Sequence, residues 1–358
     1  MVVVKHGWSE EIAFSTFTKE ASYDAGVTVN DTNYSSLAGF EATVEWPDRI
    51  ESDKGEVTGL EFGTQQNRLE QMVNITVNEP HARPNTLAGL GALVLGSVSS
   101  TQDGITTAYR HDITPIAVGS GLPSISCVHQ KGGLQYKYDG VKGNKLTISG
   151  EAGGPVVCNY ELMGSGTRAT NADTMPSVIS ESWMLYRSCK VWLESGANIS
   201  ITAQGSGVQQ AEDISSATPE DLGARIKSFS WAWMNNAERQ ASFGSGSGAA
   251  LDIDKGRRTA ELSFDLLFDT STELDYFINQ NPLAVEFDLA GGVIDGAGLP
   301  FYYGFTLVVP QFYLKAAPVA TGGVDDRLMV TLDCEIITDG TNPASWLSVY
   351  NAQTGYLA

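Results

Sequence analysis

Four histidines, His6, His81, His111 and His129, are the side chains best suited to proton transfer near neutral pH. They are scattered. No HExxH motif and no His-x-His pair occurs, so zinc chemistry or histidine base catalysis has to be assembled from distant positions. His111 and Asp112 are adjacent, but neighbours on a strand point to opposite faces. The run Gly244-Ser245-Gly246-Ser247-Gly248 places glycine where a nucleophile elbow needs serine, and it reads as a flexible loop. No P-loop and no GxGxxG opens a helix. The acids Asp252 with Asp254 and Asp325 with Asp326 could work as a glycosidase pair only where the fold makes them meet. Asp325-Asp326 after Gly322-Gly323 reads as a hairpin turn rather than a calcium loop. Trp231 and Trp233 share one strand face, where they could stack a sugar, although core packing is the plainer use. Cys127, Cys158, Cys189 and Cys334 contain no CxxC spacing, which argues against zinc and against a disulfide framework. No catalytic, cofactor-binding or metal-ligating residue is singled out, and no enzymatic activity or cofactor is expected.

What the elements have to position is charge. Ala260, Leu262, Phe264, Leu266 and Phe268 alternate with Thr259, Glu261, Ser263, Asp265, Leu267 and Asp269. Further on, Leu328, Val330, Leu332, Cys334 and Ile336 alternate with Met329, Thr331, Asp333 and Glu335. Period two makes a strand with one dry and one wet face. The wet face here carries carboxylates and no bases, which predicts long antiparallel sheets presenting negative charge. Glu151, Glu161, Glu261, Asp265, Asp333 and Glu335 alternate with core residues and point away from the core. Cys158 and Cys334 fall on inward positions and read as small apolar core residues.

The composition agrees. The net charge is −20, from 22 bases and 42 acids among 358 residues. Residues up to Ser195 hold 14 bases and 22 acids, and the remainder 8 and 20. Without a basic tail or stripe, tight or sequence-specific nucleic-acid binding is not expected. An acidic surface lets nucleic acid slide past instead. Residues 1–8 lack the apolar core of a signal peptide. The apolar run Leu87–Leu95 is broken by Gly89 and Gly91 and falls short of the ~20 residues a membrane span needs. Sequons at Asn30, Asn33, Asn74 and Asn198 read as chance matches without secretion.

The length suits two domains. Residues 1–40 carry isolated aromatics in a polar context and read as an extended arm. Strands are expected near 56–62, 72–79, 105–113, 122–130, 145–151 and 155–163. A helix capped by Asn85 or Thr86 presents Leu87, Leu90 and Val94 and ends at Gly96. The second half repeats the order, with strands near 225–234 and 251–269. Thr270-x-x-Glu273 then makes a capping box, Leu274, Phe277 and Ile278 a stripe, and Pro282 a stop. Strands near 283–289, 301–315 and 327–337 follow. Asp53-Lys54-Gly55-x-x-Thr58 recurs as Asp254-Lys255-Gly256-x-x-Thr259, which supports a duplication with an insertion in the first copy. The polar stretches Gly164–Pro176 and Gln204–Gly223 read as linkers or contact arms. Between them, 178–201 reads as strands, and the domain boundary falls within 165–224.

A set of ordered motifs resembles a known family. Glu20-Ala-Ser-Tyr23-Asp-Ala-Gly26 is similar to its arm motif. Tyr109-Arg-His111-Asp-Ile-Thr-Pro115 follows the first helix. Tyr138-Asp-Gly140-Val141, Leu146–Gly150 and Gly153-Gly-Pro155 resemble its strand pair. Phe229–Asn236, Asp254-Lys-Gly-Arg257-Arg258 with Phe264 and Phe268, and Tyr303-Gly-Phe305-Thr-Leu307-Val-Val-Pro310 match in the second half. Together they resemble the major tail tube proteins of long-tailed, siphovirus-like phages, in the group with two fused tube domains. Two departures are the missing tight Tyr-Gly in the arm and a long loop after Phe62.

The resemblance implies an all-β fold with minor helix: two tandem antiparallel β-sandwich or barrel domains, each with one short flanking helix. Its parts would be an arm at 1–40, tube domains at 41–176 and 177–340, and a C-terminal arm at 341–358. It implies a structural subunit of the virion tail, assembled in the host cytoplasm, with no membrane partner. Three chains would form a pseudo-sixfold ring carrying −60 in all. Rings would stack into a tube whose acidic channel, lined by the six carboxylates, passes viral DNA without binding it. Partners would be further copies and other tail proteins such as terminator and tape measure. The arms and polar loops would make the intersubunit contacts. The rival readings are a carbohydrate-binding or carbohydrate-cleaving β-sandwich, or another phage part such as a terminator, baseplate or capsid-decoration protein.

Overall fold

Alternation of apolar and polar residues becomes strand nearly everywhere it occurs. The computed structural model describes residues 10–52, 65–102, 106–185, 189–195, 200–203, 212–215, 220–241, 248–267, 272–295, 301–316, 319–320, 328–338 and 340–358. The Asp53–Thr58 echo, the strand expected near 56–62, much of 204–223, Gly244–Ser247, Phe268, Asp269, Thr270 and Asp325-Asp326 lie outside the described residues.

From the N-terminus come β1 (Glu11–Phe14), β2 (Ser35–Ser36), β3 (Glu41–Glu45), β4 (Arg49–Ser52), β5 (Gln66–Glu70) and β6 (Val73–Glu79). Helix α1 (Pro84–Leu95) follows. Next are β7 (Gly96–Gln102), β8 (Tyr109–Pro115), β9 (Ile125–Lys131), β10 (Leu134–Glu151), β11 (Val156–Gly164) and β12 (Arg168–Thr170). The second half opens with β13 (Cys189–Ser195), β14 (Ser200–Ala203), β15 (Glu212–Ser215), β16 (Glu220–Asp221) and β17 (Ile226–Met234). Then come β18 (Glu238–Gln240), β19 (Asp252–Asp254), β20 (Thr259–Leu267) and α2 (Thr272–Asn279). The last strands are β21 (Leu283–Asp295), β22 (Phe301–Ala316), β23 (Val319–Ala320), β24 (Met329–Ile336) and β25 (Trp346–Asn351). The fold is mostly β, and its strands pair antiparallel.

Two long strands, β10 and β22, each serve two layers. Up to Val141, β10 pairs with β9 and β12, and β9 pairs with β1. From Lys142 it pairs with β11, which pairs with β6, which pairs with β3. The second half follows the same order. The first part of β22 pairs with β21 and β25, and β21 with β13. The end of β22 pairs with β24, which pairs with β20, which pairs with β17. Two joints connect the halves. In one layer β10 pairs with β17, and in the other β8 of the β7–β8 hairpin pairs with β25. One apolar core runs from Ile12 to Leu357 through both halves.

Helix α1 differs from the amphipathic flanking helix expected. All twelve of its residues are buried, as in a helix that is apolar all round. Gly91 faces Leu347, Ile113 and Leu146, so the helix lies between the layers. It starts at Pro84, whose fixed φ suits the first helical position, and neither Asn85 nor Thr86 is its cap. Gly96 ends it at φ 97, the left-handed conformation that glycine adopts without strain. In α2 the expected stripe is incomplete. Phe277 packs on the core, whereas Ile278 is 72% exposed.

Parts of the two expected arms are built into the core. Ile12, Ala13 and Phe14 are fully buried in β1, and Tyr34 is buried beside them. At the other end β25 lies between β22 and β8, and Tyr356 and Leu357 are buried. Leu357 and Ala358 donate backbone hydrogen bonds to Thr16 and Phe17. Strands β1 and β25 and the last residues Tyr356 and Leu357 are therefore part of the core, whereas most of 21–33 is not. The two strands misled because they are only four and six residues long and buried at nearly every position, so they show no apolar–polar alternation. Gly164–Pro176 is likewise no free linker, since β12 within it pairs with β10 and Ser165 is fully buried.

Candidate assembly and channel surface

One layer runs without interruption through β3, β6, β11, β10, β17, β20 and β24. Its dry face carries Val77, Tyr160, Ile148, Trp231, Leu262 and Cys334, all buried. Strand alternation puts all six candidate carboxylates on the opposite face. Glu261 stands opposite Glu335, Ser263 opposite Asp333, and Asp265 opposite Thr331. Glu161 stands opposite Lys145, and Glu151 opposite Ser228. Sequence reasoning brought these residues together only as a type; the pairing joins them across both halves.

Their environments differ. Asp265 accepts hydrogen bonds from Ser228 Oγ and Thr331 Oγ1, both at 2.7 Å. Glu161 lies 3.4 Å from Lys145 Nζ, and Glu335 3.9 Å from Lys315 Nζ. The face is thus acidic with two lysines beside it, where the sequence suggested none. Glu41 and Glu45 of β3 are exposed on the same face and were missed. Their signal was the Glu41-Ala-Thr43-Val44-Glu45 alternation, too short to stand out beside a presumed arm.

Residues of the Glu20–Gly26 and Tyr138–Val141 segments form a positioning cluster where β10 passes from one layer to the other. The buried Glu20 accepts from Gly140 N at 2.9 Å, Ser126 Oγ at 3.1 Å and Asp24 N at 3.0 Å. Burial raises its pKa, and the donated hydrogen bonds oppose that rise. Gly140 sits at φ 65, and a Cβ there would lie 2.8 Å from Ser165 and 3.1 Å from the Tyr23 ring. Lys142 Nζ lies 4.9 Å from the centre of that ring and 2.5 Å from Asp252. Asn235 ties the halves together. Its Nδ2 donates to Val94 O at 2.7 Å and Gly143 O at 2.9 Å, and its Oδ1 accepts from Trp233 Nε1 at 3.1 Å.

His6 lies outside the described residues, and the other three histidines stand in separate places. His111 is fully buried between Ser100 Oγ, 2.8 Å from Nδ1, and Asn351 Oδ1, 2.9 Å from Nε2. Burial pulls its pKa down to about 4. The network continues from Asn351 through Tyr356 to Asn85 at the start of α1. His129 lies 2.7 Å from Glu10, and the His81 ring lies 4.0 Å from that of Trp183. Glu79 and Glu181 are pushed up to about 8 by burial. Among the described residues no cluster of His, Cys, Asp and Glu could hold a metal ion. Trp231 and Trp233 are buried and offer no stacking platform for a sugar. No described helix is long and apolar enough to cross a membrane.

The described residues thus make a mostly β fold with one acidic sheet face and a buried polar network. A family model described as phage tail tube protein matches residues 47–336, well over half of the chain. The chain belongs to the phage tail tube protein family. A comparison with curated proteins returns no match. Among solved structures, the chain is similar to a double mutant of the Hcp1 protein from the E. coli EAEC 042 pathovar. That match has 16% identity and a TM-score of 0.22, over 44% of this chain and 96% of the other. A likeness that low carries no argument here.

Proposed function

We propose that this chain is the ring-forming subunit of a long phage tail, with two fused tube domains and three chains in a pseudo-sixfold ring. The repeated pairing order around β10 and β22 supports the fusion, with the boundary between 165 and 224. Rings stack into a tube that conducts viral DNA. Terminator and tape-measure proteins complete its partners in the virion, and assembly takes place in the host cytoplasm. The observation that carries the reading is the gathering of Glu151, Glu161, Glu261, Asp265, Asp333 and Glu335 on one face of a continuous layer. On a channel wall these acids keep phosphates from sticking, whereas a row of bases would hold them. Electron micrographs of the purified protein test the assembly: stacked rings are expected, and particles of single-chain mass would refute it. Reversing the exposed acids Glu151, Glu261, Asp333 and Glu335 to Lys tests the channel. Rings should persist, and genome ejection should slow, most at low salt where screening is weakest. Unchanged ejection at every salt concentration would place these acids elsewhere on the tube.

A further inference from the structure

Helix α1 supplies no side-chain cap of its own. Arg83 at its N-cap makes no capping hydrogen bond, and its first turn holds no acid. Two carboxylates from elsewhere in the chain take that place. Glu181 Oε1 accepts from Asn85 N at 2.6 Å. Glu79, the last residue of β6, faces the Arg83 N–H and the Thr86 hydroxyl. It is 1% exposed, and neither of its carboxylate oxygens has a hydrogen bond of good geometry. The Arg83 guanidinium donates to the Glu181 main-chain carbonyl at 3.4 Å rather than to a carboxylate. An ionised carboxylate is costly to bury without a partner, and a second one beside it adds repulsion, so the site favours a proton on each.

Glu181 belongs to the segment 176–185, a strap between β12 and β13 that touches both halves. On the first half, Ser36 Oγ donates to Pro176 O at 2.5 Å and Ser177 N to Asp31 Oδ1 at 2.6 Å. Met184 N donates to Ala82 O at 2.9 Å, and Val156 N to Met184 O at 3.3 Å. On the second half the strap crosses β21 at two glycines. A Cβ on Gly292 would lie 2.5 Å from Ser182 Oγ, and one on Gly291 3.7 Å from Trp183 O. Ser177, Val178, Ser180, Ser182 and Trp183 are exposed, so Glu181 is the grip at the middle of the strap.

We propose that Glu79 and Glu181 form a proton-held latch: with both carboxyls protonated the strap is clamped to the start of α1 and across Gly291-Gly292, and loss of the protons frees it. The other titratable or charged groups around the pair are Arg83, Cys158 and Tyr160 of β11, Tyr303 of β22, and Tyr356. The His81 ring packs on Trp183. Burial pushes the Cys158 thiol and the three phenols up, so they stay neutral while the carboxyls titrate. Both carboxyls are raised from 4.5 to about 8. The clamp is therefore at full strength below pH 4.5 and weakens as pH rises. It changes no further above about 8, where the clamped form has lost its protons too.

Hydrogen exchange of the full-length protein, read by mass spectrometry on peptides covering 176–185, tests the latch. After correction for the intrinsic rate, exchange of the strap is expected to rise at least about tenfold between pH 6 and pH 9, levelling off at the upper end. Peptides from β8 and β25 should not change. Glu79→Gln and Glu181→Gln should each lower the rise, and the double variant should remove it. Glu181→Gln retains the acceptor for Asn85 N, so it removes the titration and not the hydrogen bond. A strap equally protected at both pH values overturns the latch. So does an undiminished rise in the Gln variants, or a rise shared equally by β8 and β25. If the double variant does not fold, the single variants and the unaltered chain decide by the same criteria.

Discussion

Asn235→Ala is the sharpest probe of how the two halves are joined. The side chain is fully buried and makes three hydrogen bonds, to the carbonyls of Val94 and Gly143 and from the indole of Trp233. Val94 lies in the last turn of α1, Gly143 lies where β10 meets the helix, and Trp233 belongs to the second half. A typical internal hydrogen bond contributes about 1 kcal/mol, and a buried group left without its partner costs about 1–3 kcal/mol. Three groups orphaned together therefore cost about 3 kcal/mol or somewhat more. With an unfolding entropy of about 2.1 cal/mol/K per residue, that loss lowers the melting temperature by about 4 °C for this chain. The assay is urea unfolding of the unassembled chain, followed by tryptophan fluorescence and by far-ultraviolet circular dichroism. Both probes should move together to a lower midpoint, because one core spans the halves. Asn235→Asp retains the acceptor for Trp233 but loses both amide donors, and it should also destabilise. A loss below about 1 kcal/mol, or two separated transitions in the unaltered chain, would refute the reasoning.

Three further outcomes follow from buried groups and from the termini. His111 is held neutral down to about pH 4 against 6.5 when free, so its contribution is present above pH 6.5 and lost as pH falls toward 4. Urea midpoints at pH 7 and 4.5 should differ less in His111→Gln than in the unaltered chain. Glu79 and Glu181 have the opposite sign: raised from 4.5 to about 8, they contribute fully below pH 4.5 and progressively less as pH rises toward 8. Glu79→Gln should therefore gain stability relative to the unaltered chain at pH 8 and not at pH 4, as read from the same midpoints. Removing residues 1–14 takes Ile12 and Phe14 out of the core, where each contributes about 1.5–3 kcal/mol by burial. The truncated chain is expected to be insoluble or unfolded by circular dichroism, and a folded, tube-forming product would show that β1 is dispensable.

Much of the fold was legible because a half-buried strand writes its period into the chain. The strands expected at 225–234, 301–315 and 327–337 are found at Ile226–Met234, Phe301–Ala316 and Met329–Ile336. What failed were elements with no wet face or too little length. Helix α1 is apolar on every side, so the stripe read at Leu87, Leu90 and Val94 was only part of its buried surface. The strand expected at 145–151 is the second part of an 18-residue strand, whose first part, Leu134–Val141, belongs to the other layer. A strand that serves two layers switches neighbours midway, and no single period describes it. The motif cluster at Glu20, Tyr23 and Gly140 was legible as spacing, but not as contact, because its members lie far apart in the chain.

The acidic face shows most clearly why function and stability have to be read separately. Like charges directly opposite on a sheet are unfavourable, typically by a few tenths of a kcal/mol. The chain nonetheless sets Glu261 opposite Glu335, with Asp333 on the same face. Thr in place of either glutamate would suit a strand better. Nearby, Asp265 receives two hydroxyl donors and Glu161 a lysine, so part of the charge is compensated. Glu261 and Glu335 stay exposed, the latter with only a distant lysine. A local rule broken without a structural gain marks a surface kept for its work. On the channel proposed above, that work would be to keep a polyanion from sticking to the wall.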